Sequence, residues 1–165
     1  MSTPENGTLR LVAATDAHFM ALVANRAPDG FGLAEGGIDA PEIIEMLGAL
    51  ARRVGLLIDP AAWLIVNDDE VVGLCSITKP FAVPGTIEIG YGIAPERRGR
   101  GFATKAVAIL LELARADDRI TVVIAETAVD NAPSQRTLEK NGFTRTGGRI
   151  DPEDGAVFCW QIAVG

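Results

Sequence analysis

The segment from Thr86 to Ala103 holds the residues best suited to binding a ligand, because it joins a strand-like run to a helix through a basic turn with two glycines. Gly99 and Gly101 permit positive φ values and close approach by another molecule, and an amphipathic helix begins at Phe102. The first N–H groups of a helix lack partners within it, and the helix dipole favours an anion at that end. Three side chains add positive charge there: Arg97, Arg98 and Arg100. The turn is therefore predicted to bind a phosphate-bearing cofactor.

Few side chains in the sequence are suited to metal binding or to triad chemistry. The single histidine, His18, argues against a His-rich metal site and against a Ser-His triad. The two cysteines, Cys75 and Cys159, lie in apolar runs outside any CxxC pair, and we predict that both are core thiols. Chemistry is therefore expected from carboxylates, hydroxyls and backbone groups, without a metal.

Length and composition indicate one domain over residues 1–165, with 48% hydrophobic and 22% charged residues. No apolar run approaches the ~20 residues of a membrane helix, and the first residues lack the pattern of a secretory signal. We therefore expect a cytoplasmic protein with no membrane partner. The net charge is −7 and the basic residues cluster only at the turn, which argues against a nucleic-acid partner. The acidic first fifty residues fit either a cationic acceptor or plain solubility.

The apolar patterns predict the order β, α, α, β, β, β, α, β, α, β, β. This order is typical of an α+β layered fold with a mixed sheet and helices on its faces. The glycine-rich segment 26–40 is predicted to be a mobile loop. The run 120–125 is a continuous stretch of strand-forming residues, which is typical of a sheet covered on both faces.

Four segments together resemble the GNAT-type, acetyl-CoA-dependent N-acetyltransferases, most closely the subgroup of ribosomal-protein N-terminal acetyltransferases. They are Glu88–Tyr91, Pro95–Thr104, Asn131 with Ser134, and Lys140–Phe143. The resemblance extends over roughly residues 62–164. It implies an α+β fold with a mixed, mainly antiparallel sheet of about seven strands flanked by about four helices.

The resemblance also implies acetyl-CoA as cosubstrate and assigns the residues that bind it. Backbone N–H groups of the turn would hold the pyrophosphate, and these belong to Arg98, Gly99, Arg100, Gly101, Phe102 and Ala103. The strand that ends at 93–94 would part from its neighbour at about residues 121–127, and the pantetheine arm would bind in that gap. Asn131 would bind the pantetheine or hold the helix that carries Ser134.

The implied reaction is direct attack of a neutral amine on the acetyl thioester. Glu88 is the candidate base, and an acceptor-binding or structural carboxylate is the alternative. The N–H of Ile93 would serve the oxyanion. Ser134 is the candidate acid for the leaving thiolate, although it also suits a helix cap. Tyr91 alternates to the opposite face from Glu88, so it is expected to pack.

Other functions are compatible with parts of the sequence. The segment Gly99–Thr104 begins like a dinucleotide-binding fingerprint, but a threonine stands at its third glycine position and the segment follows four strands rather than one. A non-catalytic acetyl-CoA sensor or interaction module is the open alternative to an enzyme. The acceptor is not specified by the sequence and is a protein N-terminus or a small amine. Whether the protein forms a homodimer is also left open.

Overall fold

The protein was analysed as a computed structural model, which describes residues 5–6 and 8–165. Four α-helices are present in this part of the chain: α1 Asp16–Val23, α2 Pro41–Val54, α3 Phe102–Arg115 and α4 Ala132–Lys140. Their ends follow local signals. The Thr15 hydroxyl accepts from the N–H of His18 at the start of α1, Pro41 is the first residue of α2, and Gly101 precedes α3 in the left-handed conformation.

The described strands form one sheet, and seven of them are longer than two residues. They are β1 Glu5–Asn6, β2 Leu9–Ala13, β3 Gly32–Leu33, β4 Ala62–Asn67, β5 Glu70–Pro80, β6 Thr86–Ile93, β7 Val122–Ala128, β8 Thr144–Asp151 and β9 Gly155–Ala163. The order across the sheet is β1-β2-β4-β5-β6-β7-β9-β8, with β3 beside β5. The pairs β6–β7 and β3–β5 are parallel and the others are antiparallel. The predicted α+β fold, with its mixed sheet and four helices, is confirmed.

Each face of the sheet carries its own hydrophobic cluster. On one face α3 packs through Ala106, Val107 and Ile109 against strand residues such as Ile87 and Val123. On the other face α1 and α2 pack through residues including Phe19 and Ile44 against β4 and β5. The second cluster lies under the half of the sheet formed by β2, β4 and β5, so these two helices leave the β7, β9 and β8 half of that face uncovered.

One expectation about local structure is wrong and a second needs an addition. The run 120–125 does not form a strand covered on both faces, because β7 begins at Val122 and its residues alternate between partly buried and buried. The segment 26–40, predicted to be a mobile loop, is a loop apart from the two residues of β3; the N–H of Gly32 donates to Asp69 O at 2.8 Å and that of Ala34 to Val71 O at 3.1 Å. Pairing of β3 with β5 thus attaches this segment to the sheet.

Candidate functional site

The parallel strands β6 and β7 separate in the middle of the sheet. They pair only at Thr86–Val122, Ile87–Val123 and Glu88–Ile124, although both strands continue beyond these residues. On their outer sides β6 remains paired with β5 as far as Ile93, and β7 with β9 as far as Ala128. The separation therefore opens a gap between two strands that are otherwise held in the sheet.

Backbone N–H groups from both strands face this gap. In an antiparallel ladder, alternate residues bond to the partner strand and those between them point away. Because Ala94 N donates to Val72 O at 2.8 Å, the backbone N–H groups of Tyr91 and Ile93 point away from β5 and into the gap. Because Val129 N donates to Ala156 O at 3.1 Å, the backbone N–H groups of Glu126 and Ala128 point away from β9 by the same rule. The gap is thus lined with backbone hydrogen-bond donors.

The start of α3 presents a second set of free donors. Within residues 5–6 and 8–165, the backbone N–H groups of Gly99, Gly101, Phe102 and Ala103 donate to no protein acceptor. Gly99 and Gly101 have φ values of +79° and +78°, and a Cβ added at either glycine would project into open space. The turn is therefore open to a ligand rather than packed against the protein.

The three arginines of the turn lie in different environments. Arg97 forms two hydrogen bonds with the carboxylate of Glu70 in β5, at 2.7 Å and 3.1 Å, so its charge is already paired. This contact holds the pKa of Glu70 below its ordinary value. Arg98 donates through Nε to Ile93 O at 3.2 Å, and Arg100 is exposed. Only Arg98 and Arg100 are thus available to meet phosphate charge.

Glu88 lies on the uncovered half of the face that α1 and α2 share. Its side chain is 14% exposed, and its Oε2 accepts a hydrogen bond from Thr78 Oγ1 at 3.0 Å. Lys79 Nζ lies 3.8 Å from the same oxygen. The carboxylate is therefore held in place at the point where β6 and β7 part.

Charged neighbours of Glu88 were missed by the sequence-based reasoning. Glu126 on β7 accepts two hydrogen bonds from Arg149 on β8, which also bonds Asp151, and this ion pair lowers the pKa of Glu126. Cys159 is not a core thiol as predicted, because it is partly exposed with its Sγ 3.7 Å from Glu126 Oε2. Alternation along β7 could have placed Glu126 on this face. Nothing local indicated its partner 23 residues away.

Ser134 lies in the first turn of α4. Its N–H donates to Asn131 Oδ1 at 3.2 Å, so Asn131 caps the helix that carries the serine. The hydroxyl of Tyr91 lies 2.8 Å from Ser134 Oγ. Asn141 at the other end of α4 donates to Thr104 O in α3 at 3.1 Å. The helix that carries Ser134 is thus attached to the helix that begins at the glycine turn.

Within the described residues, no group of three or more His, Cys, Asp or Glu side chains could hold a metal ion. No helix in the same residues is long and apolar enough to cross a membrane.

The family model described as "Acetyltransferase (GNAT) domain" matches residues 8–144 of this chain. The chain belongs to this family. An uncharacterized N-acetyltransferase, YjdG of Bacillus subtilis, is 33% identical over 84 residues, which cover 50% of each protein. The ribosomal-protein-serine acetyltransferase of Escherichia coli is 26% identical over 85 residues, which cover 52% of this chain and 48% of that protein. The chain thus spans about half the length of the curated relatives that it matches.

The solved structures extend the fold comparison to nearly the whole chain. RimL, a ribosomal alpha-N-protein acetyltransferase solved in complex with coenzyme A, has a TM-score of 0.76 at 21% identity. The match covers 99% of this chain and 98% of that one. At this identity the comparison shows a shared GNAT fold.

Proposed function

We propose that this GNAT protein transfers the acetyl group of acetyl-CoA to a primary amine as a single-domain enzyme. One observation carries the proposal. The gap between β6 and β7 leads from Glu88 towards Ile93, and the N–H groups that begin α3 are free just beyond the end of β6. A molecule with an extended amide-bearing arm and a diphosphate meets both sets of donors at once.

The two sets of donors suit the two parts of acetyl-CoA. Backbone N–H groups from Arg98 to Ala103 would hold the diphosphate, and the arm would bond along the gap to N–H groups that include Ile93. The exposed guanidinium of Arg100 is suited to a further phosphate. Asn131 is already engaged as a helix cap, so its support for binding comes through the position of α4.

Each step of acetyl transfer has a candidate group in the chain. Acetyl-CoA bound in this way supplies an acetyl thioester. Glu88 removes a proton from the acceptor ammonium, the N–H of Ile93 donates to the developing oxyanion, and Ser134 Oγ gives a proton to the sulfur. The amine attacks directly, so no covalent acyl-enzyme is needed.

The acceptor is best sought among amines that can reach an open sheet face. Glu88 and Glu126 contribute negative charge there, next to Lys79 and Arg149. RimL and the ribosomal-protein-serine acetyltransferase carry protein substrates in their names, so protein N-termini come first, followed by small amines. We place the reaction in the cytoplasm, a reducing compartment in which free thiols such as Cys75 and Cys159 persist.

Cofactor binding can be tested without knowing the acceptor. Acetyl-CoA at about 100 times its dissociation constant should raise the free energy of unfolding by about 2.7 kcal/mol. Gly101→Val should abolish most of this increase, because its Cβ would project into the space left for the diphosphate. Gly155→Val is the matched control, since Gly155 also has a positive φ of +76° and an open Cβ direction but lies at the start of β9, next to the β8–β9 turn. Equal loss in both variants, or no increase in the parent protein, would contradict the proposal.

Catalysis is tested by thiol release from acetyl-CoA in the presence of protein N-terminal peptides, polyamines, amino acids and amine antibiotics. Turnover with at least one class is the expected result. Tight acetyl-CoA binding without turnover on any class would favour the sensor or interaction module.

A further inference from the structure

Tyr91 is the only tyrosine of the chain, and its hydroxyl is bonded to the candidate acid. Tyr91 Oη lies 2.8 Å from Ser134 Oγ and 3.3 Å from the Ser134 carbonyl oxygen. The ring packs against the core beneath α3 and pairs across the sheet with Cys75, which fixes its position. Burial raises the pKa of Tyr91, so the phenol carries its proton at neutral pH.

The two hydroxyls can share their protons in two ways without moving a heavy atom, because each has one proton to donate and can also accept. In the first arrangement Ser134 donates to Tyr91, and Tyr91 donates to the Ser134 carbonyl. In the second arrangement Tyr91 donates to Ser134 Oγ. The serine proton is then free to go to another acceptor.

We propose, on the basis of the acetyltransferase function above, that Tyr91 donates a proton to Ser134 as Ser134 protonates the departing thiolate. The carbon–sulfur bond of the thioester breaks and its electron pair stays on sulfur. Sulfur takes the proton of Ser134, and Ser134 Oγ takes the proton of Tyr91, which leaves a phenolate. The acceptor ammonium loses two protons, one to Glu88 before it attacks and one as the tetrahedral intermediate collapses. Both pass to solvent, and one proton from solvent returns to the phenolate, so that one proton ends on the thiol and one in solvent over one turnover.

The chemistry of the three groups explains why a second hydroxyl is needed. A serine hydroxyl is a weak acid, whereas a phenol has an ordinary pKa of about 10 and a thiol one of about 8.5. Proton transfer is most efficient between groups of similar acidity. Tyr91 therefore acts through Ser134 and need not touch the thioester.

Removing the phenol tests the relay. Tyr91→Phe should lower kcat on the order of 10-fold and leave the KM for acetyl-CoA unchanged, since general acids contribute about 10²-fold or more. In a Ser134→Ala background the same change should have no further effect, because the two groups act in series. Thr8→Val is the control. It removes a hydroxyl that donates to Asn67 Oδ1 at 3.0 Å, beside β2 and β4 and away from the site, and should not change kcat.

The single tyrosine also allows the acidity of the phenol to be changed with little change in its shape. Biosynthetic incorporation of 3-fluorotyrosine or 3,5-difluorotyrosine alters only position 91. The pH at which kcat falls on the alkaline side should move down with each fluorine, by the same amount as the pKa of the phenol measured by ¹⁹F NMR. A tyrosine that only packs would leave this part of the pH profile in place.

A binding measurement separates the relay from the function on which it depends. Coenzyme A should shift the ¹⁹F resonance of position 91, and Ser134→Ala should remove that shift; this arm needs no acceptor amine. If coenzyme A changes neither the resonance nor the unfolding midpoint, the acetyltransferase proposal fails. If coenzyme A binds but its ¹⁹F shift is independent of Ser134, or kcat and its pH profile do not respond to Tyr91→Phe and fluorination, the relay is wrong.

Discussion

The face of the sheet that α1 and α2 share is divided into two halves with opposite properties. Under these helices the strands present apolar side chains with almost no exposure, such as Leu64 at 0% and Leu74 at 4%. On the other half the strands present Glu88, Glu126 and Arg149, which are only partly buried. Both halves belong to one sheet, joined by the three residue pairs between β6 and β7, so the difference lies in what covers them. The covered half supplies stability, and the uncovered half is the surface that we propose for the acceptor.

The largest expected effect is a loss of kcat when Glu88 on the uncovered half is changed. Glu88→Gln keeps the shape of the side chain but removes its basicity, and should lower kcat by about 10²-fold to 10⁴-fold. Steady-state thiol release is the measurement, and Glu153→Gln in the exposed β8–β9 turn is the control. A rise in KM for the amine with unchanged kcat would instead make Glu88 an acceptor-binding residue.

Substitutions in the covered half should change the free energy of unfolding. Leu64→Ala leaves a cavity between the sheet and the α1–α2 layer, and should lower the free energy of unfolding by about 2–5 kcal/mol. Ile150→Ala on β8 should change it by less than about 0.5 kcal/mol, because Ile150 is 75% exposed. Urea unfolding measures both variants. Similar losses at the two positions would remove the contrast between the halves.

A smaller effect on stability is expected from the ion pair between Arg97, in the turn before α3, and Glu70 in β5. Arg97 lowers the pKa of Glu70 in the folded protein, so this pair stabilises the fold above the unfolded pKa of about 4.5. That contribution is lost as the pH falls through the lower, folded value. Glu70→Gln should therefore be less stable at pH 7, and its stability should fall less steeply below pH 4.5. Glu42→Gln, an exposed change at the start of α2, should retain the parent profile in urea titrations.

The smallest stability effect is expected from the ion pair on the uncovered half. Arg149→Gln should cost at most about 1 kcal/mol, because Arg149 is 40% exposed and such pairs contribute little. It should lower the KM for a cationic amine, since it leaves Glu126 unpaired on the proposed acceptor face. Arg115→Gln at the exposed end of α3 should leave that KM unchanged. An unaltered KM in Arg149→Gln would place the acceptor elsewhere.

Local signals in the sequence predicted the frame of the site with accuracy. Strand β6 begins at Thr86 and ends at Ile93 as predicted, and α3 begins at Phe102 as predicted. Asn131 caps α4. Each depends on neighbouring residues: a glycine that adopts positive φ, a proline that ends a strand, or a side chain that reaches the next turn. The assigned roles of Glu88, Ser134 and the turn amides remain predictions until the experiments above are done.

Contacts between distant residues were not predictable in the same way. Arg97 was expected to offer charge to a phosphate, but its partner Glu70 lies 27 residues earlier. Tyr91 was expected only to pack, and its hydroxyl meets Ser134, which is 43 residues later. The pairing of two residues of the expected loop, β3, with β5 likewise was not predicted. Periodicity shows which face a residue takes, but not which residue stands opposite.

The sequence by itself determined the turn, the helix that follows it, the order of the elements and the family to which they belong. All of these depend on interactions within a few residues, which a single chain displays directly. Only the tertiary structure decided where β6 and β7 part, which half of the sheet stays uncovered and which side chains meet there. These features depend on strand order and register, which arise when segments far apart in the chain compete to bury the same apolar surface.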